Sequence, residues 1–285
     1  MASPPLQARI AAGRRHSVGV TGLGAVLTAG RPSAEELRVA AWADIMAVAA
    51  GNVHTASNTG RSHTVGLRRD GTVLATGWNS EGQCDVDGWT DIVSVAAGWR
   101  RTIGVRKDGT ALAAGRRNEG ACDVEGWSEL VAASAGDWHS VGLRADGTAV
   151  TAGNNQRGQC SVAEWRGLRA VSAGYLCTIG LTQTGRVLAT GHLTGMTEAT
   201  GTWRDVTAIS AGSSHAVAVR EDGRVVAAGD NSRGQCDVDR WRDVVAVAAG
   251  SAHTIGLRSD GTVLATGNDD DAQCRVAGWH LGCAR

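Results

Sequence analysis

Phenylalanine is absent from this 285-residue chain; tyrosine occurs once, as Tyr175, proline three times, and lysine once, as Lys107. With so few other rings, ten Trp carry nearly all the aromatic chemistry available. The scarcity of Pro, together with 42% hydrophobic residues, argues against a linker or disordered chain despite the 40 Gly. Neither sign of charge is in excess, 28 basic residues facing 28 acidic ones, which removes the electrostatic footprint of a dedicated nucleic-acid binder. No run of about 18 apolar residues is present to span a membrane as a helix. The opening Met1-Ala2-Ser3-Pro4-Pro5 lacks the basic and apolar regions of a secretion signal, so an intracellular, cytoplasmic protein is the expectation.

The abundant glycine is periodic. An Ala/Ser-Ala-Gly tripeptide ends at Gly13, Gly51, Gly98, Gly136, Gly174, Gly212 and Gly250, with spacings of 38 residues and one of 47. Gly30 to Gly267 and Trp42 to Trp279 give two further series with the same long step near the start. Seven units of 38 residues follow, one of them carrying nine extra. Within a unit, Asp91 to Gly98 is an apolar run, Arg101 to Arg106 alternates, and Lys107-Asp108-Gly109 supplies a hairpin turn. Thr110 to Gly115 reads as a third strand, and Ala121 to Val124 as a short fourth.

A lone four-stranded antiparallel sheet cannot bury both faces, whereas seven set radially bury one another. The expected fold is therefore all-β, a seven-bladed β-propeller of four-stranded blades in one domain, 1–285. The blade units fall near 7–40, 45–86, 92–124, 130–162, 168–200, 206–238 and 244–276, and the tail 277–285 closes the ring. Residue size places the Ala/Gly-rich first strand innermost.

Segments 61–84, 136–160, 212–236 and 250–274 carry the pattern Ala-Gly-x-x-His-Thr-Val-Gly-Leu-Arg-x-Asp-Gly-Thr-Val-Leu-Ala-Thr-Gly-x-Asn-x-x-Gly-Gln most fully. In this the chain resembles the regulator of chromosome condensation family from about Gln7 to Trp279, most closely its compact bacterial members. The resemblance implies a seven-bladed propeller. Eukaryotic members exchange nucleotide on a small GTPase and bind chromatin, and compact bacterial members include secreted inhibitors of β-lactamases. Here the family's Gly-Gln-Leu-Gly becomes Gly82-Gln83-Cys84-Asp85, and no long blade insertion of the exchange type is visible.

Seven internal copies supply their own background. Cys84, Cys122, Cys160, Cys236 and Cys274 share one slot in different blades, too far apart to pair, and read as small packed thiols. His16, His63, His139, His215 and His253 share another and read as hydrogen-bonded structural histidines, so no metal site and no cofactor are expected. Seven Trp follow the repeat; Trp78, Trp99 and Trp138 do not. Trp99, Trp138 and Tyr175 fall between first and second strands, and Trp78 follows a third strand. Strand direction alternates, so these loops emerge on one face, which gathers every aromatic residue the repeat does not require.

The same loops carry Arg14, Arg15, Arg100, Arg101, Asp137 and Leu176, whereas blades six and seven carry small residues. The nine-residue insertion, 52–60, places Asn52, His54 and Asn58 beside the aromatic group and reads as a lid. In blade five His192 begins an outer loop that departs from the repeat, as does Pro32-Ser33-Ala34-Glu35-Glu36 in blade one. Trp, Tyr and Arg dominate protein-binding hot spots. The favoured reading is a monomeric binding module for a protein partner or a small aromatic or anionic ligand, with neither membrane nor nucleic acid as partner.

The alternative is an enzyme with a Trp-lined pocket. His54 or Asp137 would be its acid or base, with Cys177 and His192 as further candidates, and aromatic walls would support a cationic intermediate in cyclisation or group transfer. No nucleophile elbow, metal-spaced cluster or phosphate loop accompanies them. Guanine-nucleotide exchange and nucleic-acid binding rank lower still.

Overall fold

The computed structural model describes residues 6–52, 61–192 and 196–283. Seven antiparallel three-stranded sheets make up the described chain, in sequential strand order throughout. The first strands are Ile10–Ala12, Ile45–Ala50, Ile92–Ala97, Leu130–Ala135, Leu168–Ala173, Val206–Ala211 and Val244–Ala249. Each touches the first strand of the blade on either side, and Ile10–Ala12 lies between those of blades two and seven. The ring is closed, with the first strands innermost. The protein is a seven-bladed β-propeller.

The expected fourth strand is instead a turn. In blade two the Cys84 amide donates to Asn79 Oδ1 at 2.7 Å, the Asp85 amide to Gly82 O at 3.1 Å, and the Val86 amide to Cys84 O at 2.9 Å. Those donors are spent locally, so no ladder can form. The segment still serves the blade, because Val86, Val124, Val162, Val238 and Val276 are all buried. In blade five a short helix, Met196–Gly201, occupies the corresponding stretch.

Glycine marks the places where blades touch. The amide after five of the axial glycines donates to the glycine carbonyl of the next blade: Arg14 to Gly51, Trp99 to Gly136, Asp137 to Gly174, Ser213 to Gly250 and Ser251 to Gly13. A Cβ on Gly174 would lie 2.5 Å from Gly212 O, so a side chain has no room in this collar. Farther out, a Cβ on Gly66, Gly104 or Gly180 would lie 2.7 Å from the ring of Trp42, Trp89 or Trp165 respectively. Each repeat Trp therefore seals the next blade. At the chain ends Trp279 lies on Gly19 of blade one, and the Arg9 guanidinium donates to Leu281 O.

The shared histidines latch neighbouring blades. His16 Nε2 meets Thr64 Oγ1 at 2.9 Å, His63 meets Thr102 at 3.0 Å, and His139 meets Thr178 at 2.7 Å. His215 meets Thr254 at 2.8 Å, and His253 meets Ser17 at 3.0 Å across the closure. The hydroxyls donate onward to backbone carbonyls, Thr178 to Gln159 O and Thr254 to Gln235 O. They must therefore accept from the imidazoles, which sets the proton on Nε2. Burial holds all five rings neutral, at about 3 for His16, His139 and His215 and about 4 for His63 and His253.

Candidate functional site

Both loop classes that carry the extra aromatics emerge together. The amides of Trp78, Arg116, Asn154 and His192, each just past a third strand, donate to Ser62, Arg100, Trp138 and Leu176 of the first-to-second loops. On this face Trp78, Arg100, Trp99 and Trp138 form one ladder. The Arg100 guanidinium carbon stands 5.0 Å from the Trp78 ring centre and 4.1 Å from that of Trp99. Trp99 meets Trp138 edge-on, at 4.7 Å and 74°. Glu81 accepts from Arg100 Nη1 at 2.9 Å, and Arg116 stands 5.8 Å from Trp99 on the outer side.

The backbone of Arg100 is bent to make this contact. Its φ is +92°, in a region that disfavours side chains, and none of the equivalent loop residues in other blades shares it among the described residues. Such strain costs on the order of 1–3 kcal/mol and persists only where surrounding contacts enforce it. Stacking of a cation on indole, at about 0.5–2 kcal/mol per face, supplies part of the compensation.

The other expected residues divide by position. Tyr175 and Leu176 line a groove of about 300 Å³ with Trp138, continuing the ladder into blade five. Arg15 faces a separate cleft between blades seven, one and two. His192 is exposed at the outer loop of blade five. Arg14, Asn52 and Asp137 gather at the axial opening. Asn52 Oδ1 accepts from Ser213 Oγ at 3.2 Å and from Ser251 Oγ at 2.7 Å, so this side chain reaches across the ring to the blades with small loops. The small loops of blades six and seven are thus bridged.

Asp137 and Arg14 are buried, at 2% and 8% exposure. Burial lowers the Arg14 pKa, the nearby Arg15 lowers it further, and Asp137 and Asp271 act the other way. Arg101, expected on the face, lies beneath it at 3% exposure. It occupies a histidine slot and makes that latch itself, Nε to Ser140 Oγ at 2.9 Å, with further bonds to the carbonyls of Gly136, Asp137 and His139. His54 and Asn58, and with them the expected lid, lie outside the described residues except for Asn52. Cys177 is a packed thiol, pushed up to about 12 by burial. The described residues hold no His, Cys, Asp and Glu grouping able to bind a metal ion, and none of their helices is long and apolar enough to cross a membrane.

Sequence reasoning missed Arg116, which stands over Trp99, and Arg31, Arg61 and Asp271 of the blade-one cleft. Arg116 and Arg61 sit in loops already singled out, and that position was the available signal.

The model of the regulator of chromosome condensation (RCC1) repeat matches residues 58–83, 131–159, 206–235 and 244–273. The chain is an RCC1-like β-propeller. Solved structures of similar fold include the ectodomain of the receptor kinase CR4 from Physcomitrella patens, 16% identical with a TM-score of 0.69, covering 90% of this chain and 72% of that one. The ectodomain of ACR4 from Arabidopsis thaliana is 20% identical with a TM-score of 0.64, covering 77% and 84%. Prp20p from Saccharomyces cerevisiae, solved in a study of its binding to Gsp1p and histones, is 16% identical with a TM-score of 0.61, covering 84% and 75%. No curated protein matches the chain in sequence.

Proposed function

We propose that this propeller is a protein-binding module whose contact surface is the arc from Arg15 through Trp78, Arg100, Trp99 and Trp138 to Tyr175. The single observation that carries the reading is Arg100, held at φ +92° between the rings of Trp78 and Trp99. Stacking within the chain repays only part of that strain, and a pre-ordered Arg–Trp ladder lowers the entropy cost of docking. The RCC1-like fold supports a protein partner, since Prp20p is described with two. The described clefts on this face are open grooves lined by arginine, indole and carboxylate, a shape suited to a partner's loop.

The test is quantitative capture by the full chain, by Trp138→Ala and by Arg100→Gly. Arg100→Gly relieves the positive φ, so its melting temperature is expected to stay level or rise while specific partners fall about tenfold or more. Trp138→Ala should lose the same partners. Retention of those partners by both folded variants would overturn the proposal.

A further inference from the structure

At one end of the arc, blades seven, one and two enclose a cleft of about 430 Å³. Its floor is the departing outer loop of blade one. Asp271 of blade seven, only 10% exposed in its side chain, bridges Arg15 Nε and Arg31 Nη2, each at 3.2 Å. One carboxylate thus serves two guanidiniums. Arg61 lines the opposite wall, exposed and with no ion pair among the described residues. Trp78 lines the same cleft, and its buried indole Nε1 has no hydrogen-bond partner among the described residues. An unused N–H donor is costly beneath a surface unless something arrives to accept it.

Of the other two carboxyl groups in the cleft, one is paired and one is buried. Glu35 is turned to Arg38, at 3.8 Å. Glu36 occupies the slot that holds Gln83, Gln159, Gln235 and Gln273 in other blades, and burial raises its pKa, favouring the uncharged acid. Arg61 is left as an exposed guanidinium of the cleft with no ion pair among the described residues.

We propose that this cleft receives a carboxylate, held between Arg61 and the indole N–H of Trp78 and supplied by an acidic side chain of the docked partner. Charge-assisted bonds from a guanidinium to a carboxylate have the required strength and geometry. The cleft has room for the whole side chain and its neighbours. The inference rests on reading this face as a docking surface and adds the chemistry that the partner must present.

Its test needs no partner. The full chain, labelled with ¹⁵N, is titrated with sodium acetate, with an N-acetylated, C-amidated Gly-Glu-Gly peptide, and with sodium chloride at matched ionic strength. The Trp78 indole cross-peak, assigned with Trp78→Phe, is followed throughout. A saturable shift with both carboxylates and none with chloride is expected, and Arg61→Gln, an exposed position that leaves folding intact, should weaken it about tenfold. Tighter binding of the peptide points to a partner's side chain, and equal binding points to a free carboxylate at the same site. The absence of a saturable shift, an equal response to chloride, or an unchanged affinity in Arg61→Gln would overturn it. Because the readout is local to Trp78, its failure leaves the ladder's capture of partners untouched, and failed capture leaves this titration intact.

Discussion

Histidine at the start of the second strand shows how one residue type ties blade to blade. Each ring gives its Nε2 proton to a hydroxyl of the next blade and has no room for a second proton. Above pH 6.5 neither the folded nor the unfolded chain is charged at these positions. As pH falls below 6.5, the unfolded chain binds protons that the folded rings refuse, so stability falls. The loss amounts to about 1.4 kcal/mol per pH unit for each histidine and fades only near the folded values of about 3 to 4. Urea unfolding between about pH 7.5 and pH 5 should therefore show a steep loss, and His139→Gln should remove close to one proton from the slope. A flat profile would contradict the latch. The arginine at position 101 replaces this titratable latch with a permanent cation bonded to carbonyls, which explains its withdrawal from the face.

At the scale of the blade, one seam differs from the rest. Blade five carries Cys177 where its neighbours carry His, and blade six carries Ala216 where they carry Ser or Thr. The helix Met196–Gly201 replaces the usual outer turn at the same junction, and Met196, Ile209, Trp203 and Ala218 fill it with apolar side chains. Both halves of the latch are missing together, and hydrophobic contact has taken their place. Cys177→His alone should destabilise the fold by burying an imidazole without an acceptor. Adding Ala216→Thr should recover about 1 kcal/mol, measured as the coupling energy of a double-mutant cycle. Strict additivity would show that the hydroxyl is not the histidine's partner.

This seam also marks what was legible in the sequence. The period, the hairpins, the innermost strand and the packed role of His and Cys could all be read from seven copies of one text. The fourth strand was misread, because a short Cys-Asp-Val run looks alike whether its amides meet a strand or the Asn79 side chain. The latch partners stayed hidden because each hydroxyl lies in the next blade, 39 residues away for His63 and Thr102 and 236 for His253 and Ser17. The shared loss of Cys177 and Ala216 was the clue available.

Across the whole molecule, ring closure makes the site. Trp279 seated on Gly19, Arg9 bonded to Leu281 O, and His253 latched to Ser17 bring blade seven against blade one. Only then does Asp271 reach Arg15 and Arg31. The aromatic gathering on one face followed from strand alternation alone and was legible. The cleft beside it was not, because its walls come from three blades, the first and last among them. The axial opening is occupied by Asn52, Arg14 and Asp137, so the arc around it, and not the centre, is the surface left for contact.

A protein docked on this arc covers its aromatic rings. Oxidative footprinting of the chain with a captured partner, read residue by residue in a mass spectrometer, tests it most directly. Trp78, Trp99, Trp138 and Tyr175 should be protected on binding, while Leu23 and Lys107, on the opposite hairpin face, keep their reactivity. Protection of Leu23 and Lys107 with the three indoles unchanged would contradict it.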